Sequence, residues 1–75
     1  MSGLRHPLFS GVKLKQRRVA LKMSRLELAR RINFLSGPEA IARYENGTNA
    51  PSVNIAIAIA DVLGVRLEVL TDAQG

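Results

Sequence analysis

The sequence predicts a small all-α domain, folded as a compact bundle of about four to five helices, with a short C-terminal strand as an alternative to the last helix. Its 75 residues allow one domain. With 47% hydrophobic and 23% charged residues, the chain is too apolar for intrinsic disorder. Capping residues divide it into helix-length segments. We therefore expect a tail over residues 1–11, the domain over residues 12–71 and a second tail over residues 72–75.

The first two helices follow from composition and capping. Residues from about 12 to 22 favour helix by composition, although their apolar positions keep an imperfect helical period. Ser24 is a good N-cap, and Glu27 completes a capping box, in which each side chain accepts from the other residue's backbone N–H. A second helix is therefore expected from Ser24, with Leu28 and Ile32 on its buried stripe.

The third helix is bounded by proline and glycine. Pro38 suits the first helical position, where its missing N–H costs nothing, and Ser36 or Gly37 precedes it as the cap. The helix should run from about Pro38 to Glu45. It should end at Gly47, because glycine tolerates the left-handed conformation that closes a helix.

A fourth helix is expected to open at Pro51, to run to about Leu63 and to close at Gly64. Isoleucine and alanine alternate over residues 55–60, which also fits a buried strand, but the proline start, the glycine stop and the alanine content favour helix. A helix that is apolar on nearly every side needs cover from the core and from a second subunit.

The segment over residues 65–70 is open between strand and helix. Val65, Leu67 and Val69 alternate with polar residues, as in a short strand, and Arg66 is a poor helix cap.

Charge is divided unequally along the chain, whose formal net charge is +5. Residues 1–31 hold nine basic residues and one acidic residue, a net +8, whereas residues 32–75 hold two basic and five acidic residues, a net −3. Such asymmetry indicates a basic face for an anionic partner, either nucleic acid or an anionic membrane. A solvated basic helix face is the simpler alternative.

Several classes of function are disfavoured. The chain has no cysteine and one histidine, His6, so we expect no disulfide framework, no metal site and no cofactor, with His6 an exposed tail residue. No nucleophile–base pair, carboxylate dyad or phosphate-binding glycine loop is visible, so we expect no enzyme. The apolar run over residues 55–60 is too short to span a bilayer, and we expect a soluble, cytoplasmic, nucleoid-associated protein.

Three short helices with a glycine-containing turn and a basic N-terminal half suggest a helix-turn-helix. The residues make this specific. The segment LKQRRVALKMSRLELARRI over residues 14–32 resembles helices one and two of the Cro/C1-type phage repressor family, also called the Xre family. IARYENG over residues 41–47 resembles the end of that family's recognition helix, and PSV from residue 51 with LGV from residue 63 resembles its fourth helix. The resemblance covers roughly residues 12–71.

The resemblance implies a lambda-repressor-like all-α domain that binds operator DNA as a homodimer, with helix three in the major groove. Arg18 and Glu45 stand where the family has a partly buried ion pair that locks the recognition helix in place. Two unrelated solvated charges are the alternative.

The resemblance also implies DNA contacts. At the start of helix two, Arg25 replaces the family's common glutamine and is expected to touch a phosphate. Glu39 and Arg43 lie four residues apart on one helix face, where arginine can bond bidentately to guanine and glutamate can accept from cytosine. The expected DNA-binding residues are Ser24, Arg25, Glu39, Arg43, Asn46, Thr48 and Asn49, the last three bonding phosphates through side chain and backbone.

The sequence departs from the family in two places. The turn before helix three is about two residues longer than the family's usual turn, and Pro38 stands where the family often has a polar base-reading residue. The entry angle of helix three is therefore left open. Phe34 and Tyr44 are expected to pack in the turn or core, because 4% aromatic residues are too few for recognition by stacking. Four further basic residues are candidates for either phosphate contacts or a solvated face: Arg5, Lys13, Lys15 and Arg17.

We therefore expect a sequence-specific, double-stranded DNA-binding transcriptional regulator, a repressor that acts as a homodimer on a palindromic operator. The alternative is the DNA-binding antitoxin subunit of a toxin–antitoxin pair, suggested by the strand-like tail and the apolar fourth helix. A membrane-surface binder is disfavoured, because the basic residues of helix one face no continuous apolar side with Trp or Phe.

Overall fold

Four α-helices and a closing 3-10 helix make up the fold. The computed structural model describes residues 8–33 and 35–72. Within them, α1 spans Gly11–Ala20, α2 Arg25–Arg31, α3 Gly37–Asn46 and α4 Val53–Leu63, and the 3-10 helix spans Leu67–Leu70. The expectation of an all-α bundle is confirmed. Arg5, His6 and Phe34, which carried predictions above, lie outside the described residues.

The core lies where these five elements meet. α3 packs against α1 and α2, and α4 packs against the 3-10 helix. Every element contributes to it a side chain that is less than 2% exposed, and these are Leu14, Leu28, Ile41, Ile59, Leu63 and Leu70. Tyr44 is buried in the same cluster, which confirms its expected packing role. Full burial of one such side chain stabilises the fold by about 1.5–3 kcal/mol.

α1 begins earlier than the sequence indicated, inside the segment expected to be a tail. Ser10 is its N-cap, with the hydroxyl accepting from the Lys13 N–H at 3.2 Å. The helix ends at Ala20, two residues before the expected Lys22, which adopts a left-handed φ of 56°. A non-glycine residue in that conformation leaves little trace in a sequence pattern.

Gly11 allows α1 to approach α3 at backbone distance. A Cβ atom at this position would collide with the Tyr44 carbonyl oxygen and would lie 2.7 Å from the Glu45 carbonyl oxygen. These are backbone atoms of the last turn of α3, which cannot turn aside as a flexible side chain can. The first turn of α1 and the last turn of α3 are therefore in contact only because residue 11 is glycine.

α2 starts at the expected cap. The Ser24 hydroxyl accepts from the Glu27 N–H at 3.0 Å, which confirms half of the capping box. The Glu27 carboxylate instead accepts from Arg31 Nε at 2.7 Å, one helical turn further on. It is therefore directed along the helix and away from the cap.

Residues 32, 33, 35 and 36 are the described residues between α2 and α3, and Asn33 has a φ of 55°. α3 begins at Gly37 and not at Pro38, although Gly37 has a φ of 75°, so helical dihedral angles follow it. Ser36 makes no side-chain capping bond. The opposite end of α3 is as expected, because Gly47 closes it at a φ of 78°.

α4 opens at Val53, and the expectation that Pro51 opens it is wrong. Ser52 is the N-cap, its hydroxyl accepting from the Ile55 N–H at 3.3 Å, and Pro51 is buried ahead of it. Gly64, with a φ of 70°, ends the helix as expected.

The strand alternative for residues 65–70 is wrong, because this segment contains the 3-10 helix. Leu70 is fully buried, so the segment turns inward and does not lie flat beside a partner strand. The antiparallel backbone pairing of this part of the chain comes at the end of the 3-10 helix and just after it. Phe9 and Thr71 form an isolated antiparallel bridge, flanked by bonds from the Ser10 N–H to the Leu70 carbonyl at 2.7 Å and from the Asp72 N–H to the Leu8 carbonyl at 2.8 Å.

No helix of the described chain is both long enough and apolar enough to cross a membrane. Across residues 8–33 and 35–72, no three His, Cys, Asp or Glu side chains gather as a metal site would need.

Candidate nucleic-acid interface

A buried ion pair joins α1 to the last turn of α3. Arg18 Nε lies 2.6 Å from Glu45 Oε2, and a terminal nitrogen of the same guanidinium lies 3.2 Å from Oε1. The side chain of Glu45 is 0% exposed and that of Arg18 is 10% exposed. The structure therefore brings these two residues together, and the alternative of two unrelated solvated charges is wrong. Such a planar, two-point pair fixes orientation as well as distance.

Arg18 also holds the connection between α1 and α2. Its other terminal nitrogen donates to the Met23 carbonyl at 2.7 Å. One guanidinium thus ties α1, the loop that leads into α2, and α3. The contact with Met23 could not be predicted from the sequence, because a backbone carbonyl has no residue-type signature.

Arg25, which is expected to touch a phosphate, contacts the Glu45 carboxylate in this structure. Its Nε donates to Glu45 Oε1 at 3.0 Å, so the buried carboxylate accepts from arginines of two helices. The side chain of Arg25 remains 40% exposed. This contact spans 20 positions of the chain and could not be inferred from periodicity.

α3 presents one side to the core and the opposite side outward. Its buried residues are Ala40, Ile41, Tyr44 and Glu45. Glu39, Arg43 and Asn46 are exposed, and their spacing of four and then three residues places them on one helix face. The expected base-reading residues therefore share an outward face whose reverse side is packed.

The loop after α3 exposes Thr48 and Asn49. Their backbone N–H groups donate to the Arg43 carbonyl at 3.0 and 3.3 Å, and these bonds close the helix. Because these two amides already donate within the protein, the loop offers its side chains to a ligand. The family resemblance implied backbone donors as well. Ser24 lies exposed at the start of α2, with its hydroxyl already accepting from Glu27.

Two basic residues of α1 serve the fold. Lys13 Nζ donates to the Thr71 carbonyl at 2.6 Å and lies 3.6 Å from Asp72 Oδ1. Arg17 Nε donates to the Leu63 carbonyl at 3.3 Å, where a cation is favourable at the C-terminal end of α4. Six other basic residues are exposed: Lys15, Lys22, Arg30, Arg31, Arg43 and Arg66.

Comparison with known proteins identifies both the family and similar folds. A family model described as Helix-turn-helix matches residues 14–70. No curated protein matches the chain. A solved structure titled as hydroxypropylphosphonic acid epoxidase from S. wedmorenis is similar, with a TM-score of 0.75 and 32% identity over 91% of this chain and 36% of that one. A structure of the same protein in complex with fosfomycin is similar at 32% identity over 93% and 38%, with a TM-score of 0.75.

A third structure, titled FeII HppE in complex with substrate, has a TM-score of 0.75 and 33% identity over 87% of this chain and 37% of that one. The chain spans just over a third of the length of these proteins. The family model covers most of the chain, from Leu14 in α1 to the buried Leu70, and so includes the whole of α3 with its outward face. The chain belongs to the Cro/C1-type helix-turn-helix family of DNA-binding transcription regulators.

Proposed function

We propose that this protein is a sequence-specific repressor that binds a palindromic operator as a homodimer, with half-sites about 34 Å apart along the duplex. The observation that carries the proposal is the outward face of α3, whose reverse side is fixed by the Arg18–Glu45 pair. A helix held in this way can enter the major groove without first being ordered. The protein would act in the cytoplasm, on the nucleoid, by occluding a promoter.

Base reading is assigned to α3. Arg43 is exposed in the last turn and can donate two hydrogen bonds to guanine, while Glu39, one turn earlier, can accept from cytosine. Ser24, Asn46, Thr48 and Asn49 are exposed around this face and would bond phosphates through their side chains. Phosphate contacts set the register, and base contacts set the specificity.

A second copy of the chain is proposed to cover α4. The core already buries Ile59 and half-buries Ile55, so the apolar surplus is smaller than the sequence suggested. What remains outward is Val53 at 38% and Ile57 at 51% exposure, which lie four residues apart on one face. Two such faces in a symmetric dimer would present two copies of α3 to successive major grooves.

The test is selection of bound duplexes from a random library, followed by affinity measurements over a salt series. Arg43→Ala is expected to weaken binding to the selected duplex by about 1–3 kcal/mol and to relax the preference at one base pair. Arg66→Ala is the matched control, because it removes another exposed arginine, which precedes the 3-10 helix and lies outside α3. Equal affinity for all duplexes, or equal losses in the two variants, would contradict the proposal.

The antitoxin alternative is weakened. It was suggested by a strand-like tail that could pair with another chain and by the apolar fourth helix. Leu67–Leu70 form a 3-10 helix instead of a strand, which removes the first of these two grounds. Co-purification with a toxin would restore it.

A second candidate function comes from the similarity to hydroxypropylphosphonic acid epoxidase, of which this chain spans about a third. In this second candidate function, the fold is a helical accessory module of a longer protein. The same binding series separates the two candidates, since an accessory module without DNA affinity would show neither sequence preference nor salt dependence.

A further inference from the structure

Arg25 joins Arg18 and Glu45 in a cluster of three charges between α2 and α3. Arg18 holds both oxygens of the Glu45 carboxylate, and Arg25 Nε adds a third bond at 3.0 Å. Glu45 is fully buried, whereas the Arg25 side chain is 40% exposed. Arg25 therefore reaches from the DNA-facing side of the molecule to a carboxylate in its interior.

The two arginines hold Glu45 from different helices. Arg18 belongs to α1 and fixes the last turn of α3 relative to that helix. Arg25 is the first residue of α2 and fixes the same turn relative to α2. Besides the core packing of Ile41 and Tyr44, the last turn of α3 is thus held by side chains from two directions, which restricts its orientation more than one attachment would.

The first turn of α3 has no side-chain cap, so hydrogen bonds from side chains do not fix that end of the helix. The turn before it includes Asn33 at positive φ, and the helix opens on Gly37, also at positive φ. Ser36 contributes no side-chain capping bond. Packing of Ala40 and Ile41 holds the buried side of α3, and the ion pairs that hold the helix lie at its C-terminal end, at Glu45.

We propose that Arg25 is a positioning residue, which sets the orientation of the α3 face through Glu45 and thereby the sequence specificity of binding, and that it does not act by neutralising a phosphate. The inference rests on the proposed DNA-binding function. Substitution of Arg25 leaves Glu45 paired with Arg18, so the variant is expected to fold.

The decisive comparison is between Arg25→Ala and Arg30→Ala, which removes an exposed arginine of the same helix. Affinity is measured for the selected duplex and for a scrambled duplex of equal length, each over a salt series. Arg25→Ala should lower affinity for the selected duplex by about fivefold, the most that a partly exposed ion pair contributes. Its affinity for the scrambled duplex and its salt slope should not change. Arg30→Ala should leave the ratio of the two affinities unchanged.

The ratio also separates positioning from instability, because a partly unfolded variant loses affinity for both duplexes in equal proportion. If Arg25→Ala weakens both duplexes equally and makes the salt slope shallower by about 0.9, Arg25 is a phosphate contact and the proposal is wrong. An unchanged ratio also overturns it.

A measurement without DNA tests the cluster independently. The Thr48 and Asn49 amides donate to the Arg43 carbonyl at the end of α3, so their hydrogen exchange reports how firmly that turn is held. Arg25→Ala should speed their exchange and Arg30→Ala should not. If the unmodified protein shows no sequence preference, the proposed function fails, while this measurement still decides whether Arg25 holds α3. Unchanged exchange would overturn the positioning role itself.

Discussion

Glu45 is the residue at which α1, α2 and α3 are joined. Its carboxylate is fully buried and accepts from Arg18 and Arg25. Removing a partner from a buried charge is costly, whereas replacing a whole pair by apolar residues is often tolerated. Glu45 is therefore expected to contribute more to the orientation of α3 than to the free energy of unfolding.

The first prediction compares single and double substitutions of this pair. Arg18→Met should lower the free energy of unfolding by about 3 kcal/mol, since it leaves Glu45 with one partly exposed partner. Arg18→Met combined with Glu45→Met should lower it by less than Arg18→Met alone. Urea denaturation measures both. Arg31→Met, in the exposed pair with Glu27, is the control and should cost about 0.5 kcal/mol or less. A double variant less stable than Arg18→Met would contradict this account.

The second prediction is the sign of the change in stability that Gly11→Ala produces. By helix propensity alone, Gly11→Ala should stabilise α1 by up to about 1 kcal/mol. The added Cβ would meet the Tyr44 and Glu45 backbone, however, so we expect destabilisation by about 1–3 kcal/mol. Thermal unfolding monitored by circular dichroism distinguishes the two. A raised melting temperature would show that the approach of α1 to α3 is looser than described.

At the scale of elements, local chemistry accounts for the helix ends that the sequence predicted correctly. Ser24, Gly47 and Gly64 cap their helices as expected, because capping depends on residue type and near neighbours. Ser10 and Ser52 are caps by the same chemistry. The sequence does not single out these two serines, because the adjacent Gly11 and Pro51 are themselves typical of helix boundaries.

The contacts that the sequence does not predict depend on residues that are distant along the chain. The alternation over residues 65–70 is typical of a strand, but this segment contains a 3-10 helix whose Leu70 is buried in a core cluster with residues far earlier in the chain. The roles of Lys13, Arg17 and Arg25 depend on partners 58, 46 and 20 positions away. The family resemblance predicted the Arg18–Glu45 pair. It could not predict the bond from Arg25 to Glu45, because the family commonly has glutamine at the position of Arg25.

The third prediction uses the two helix-closing glycines as a matched pair. Gly47 and Gly64 have φ values of 78° and 70°, and a Cβ at either would meet nothing within 4 Å. Gly47→Ala and Gly64→Ala should therefore each cost about 1 kcal/mol of stability, from backbone strain alone. Only Gly47→Ala should weaken binding to the selected duplex, because it disturbs the Thr48 and Asn49 loop. Equal effects of both substitutions on DNA affinity would argue against a role of this loop in binding.

At the scale of the whole molecule, the charge asymmetry is partly structural. Lys13 donates to the Thr71 carbonyl, and Arg17 donates to the Leu63 carbonyl at the end of α4. Fewer basic side chains are therefore free to bind an anionic partner than the sequence suggests. Exposed basic residues remain on α1, α2 and α3 and at Arg66.

The fourth prediction concerns assembly. Ile57→Lys, at the centre of the exposed α4 face, should convert a dimer of twice 8.2 kDa into a monomer, because it places a charge in an apolar contact. Analytical ultracentrifugation gives the mass directly. Val12→Lys is the control, since Val12 is 64% exposed on α1 and lies outside the proposed contact. A monomeric unmodified protein, or dissociation by both variants, would exclude the α4 face as the dimer contact.

The pairing of residues 8–10 with residues 70–72 determines how the domain responds to a pulling force. Leu8 and Asp72 are bonded at the outer side of the antiparallel bridge, and Ser10 and Leu70 at its inner side. A force applied to both ends meets these bonds one after the other, as a zipper opens, and not together as in shear. The load reaches the buried Leu70 only after Lys13 has released Thr71. Under tension the ends should therefore detach at low force while α3 keeps its place.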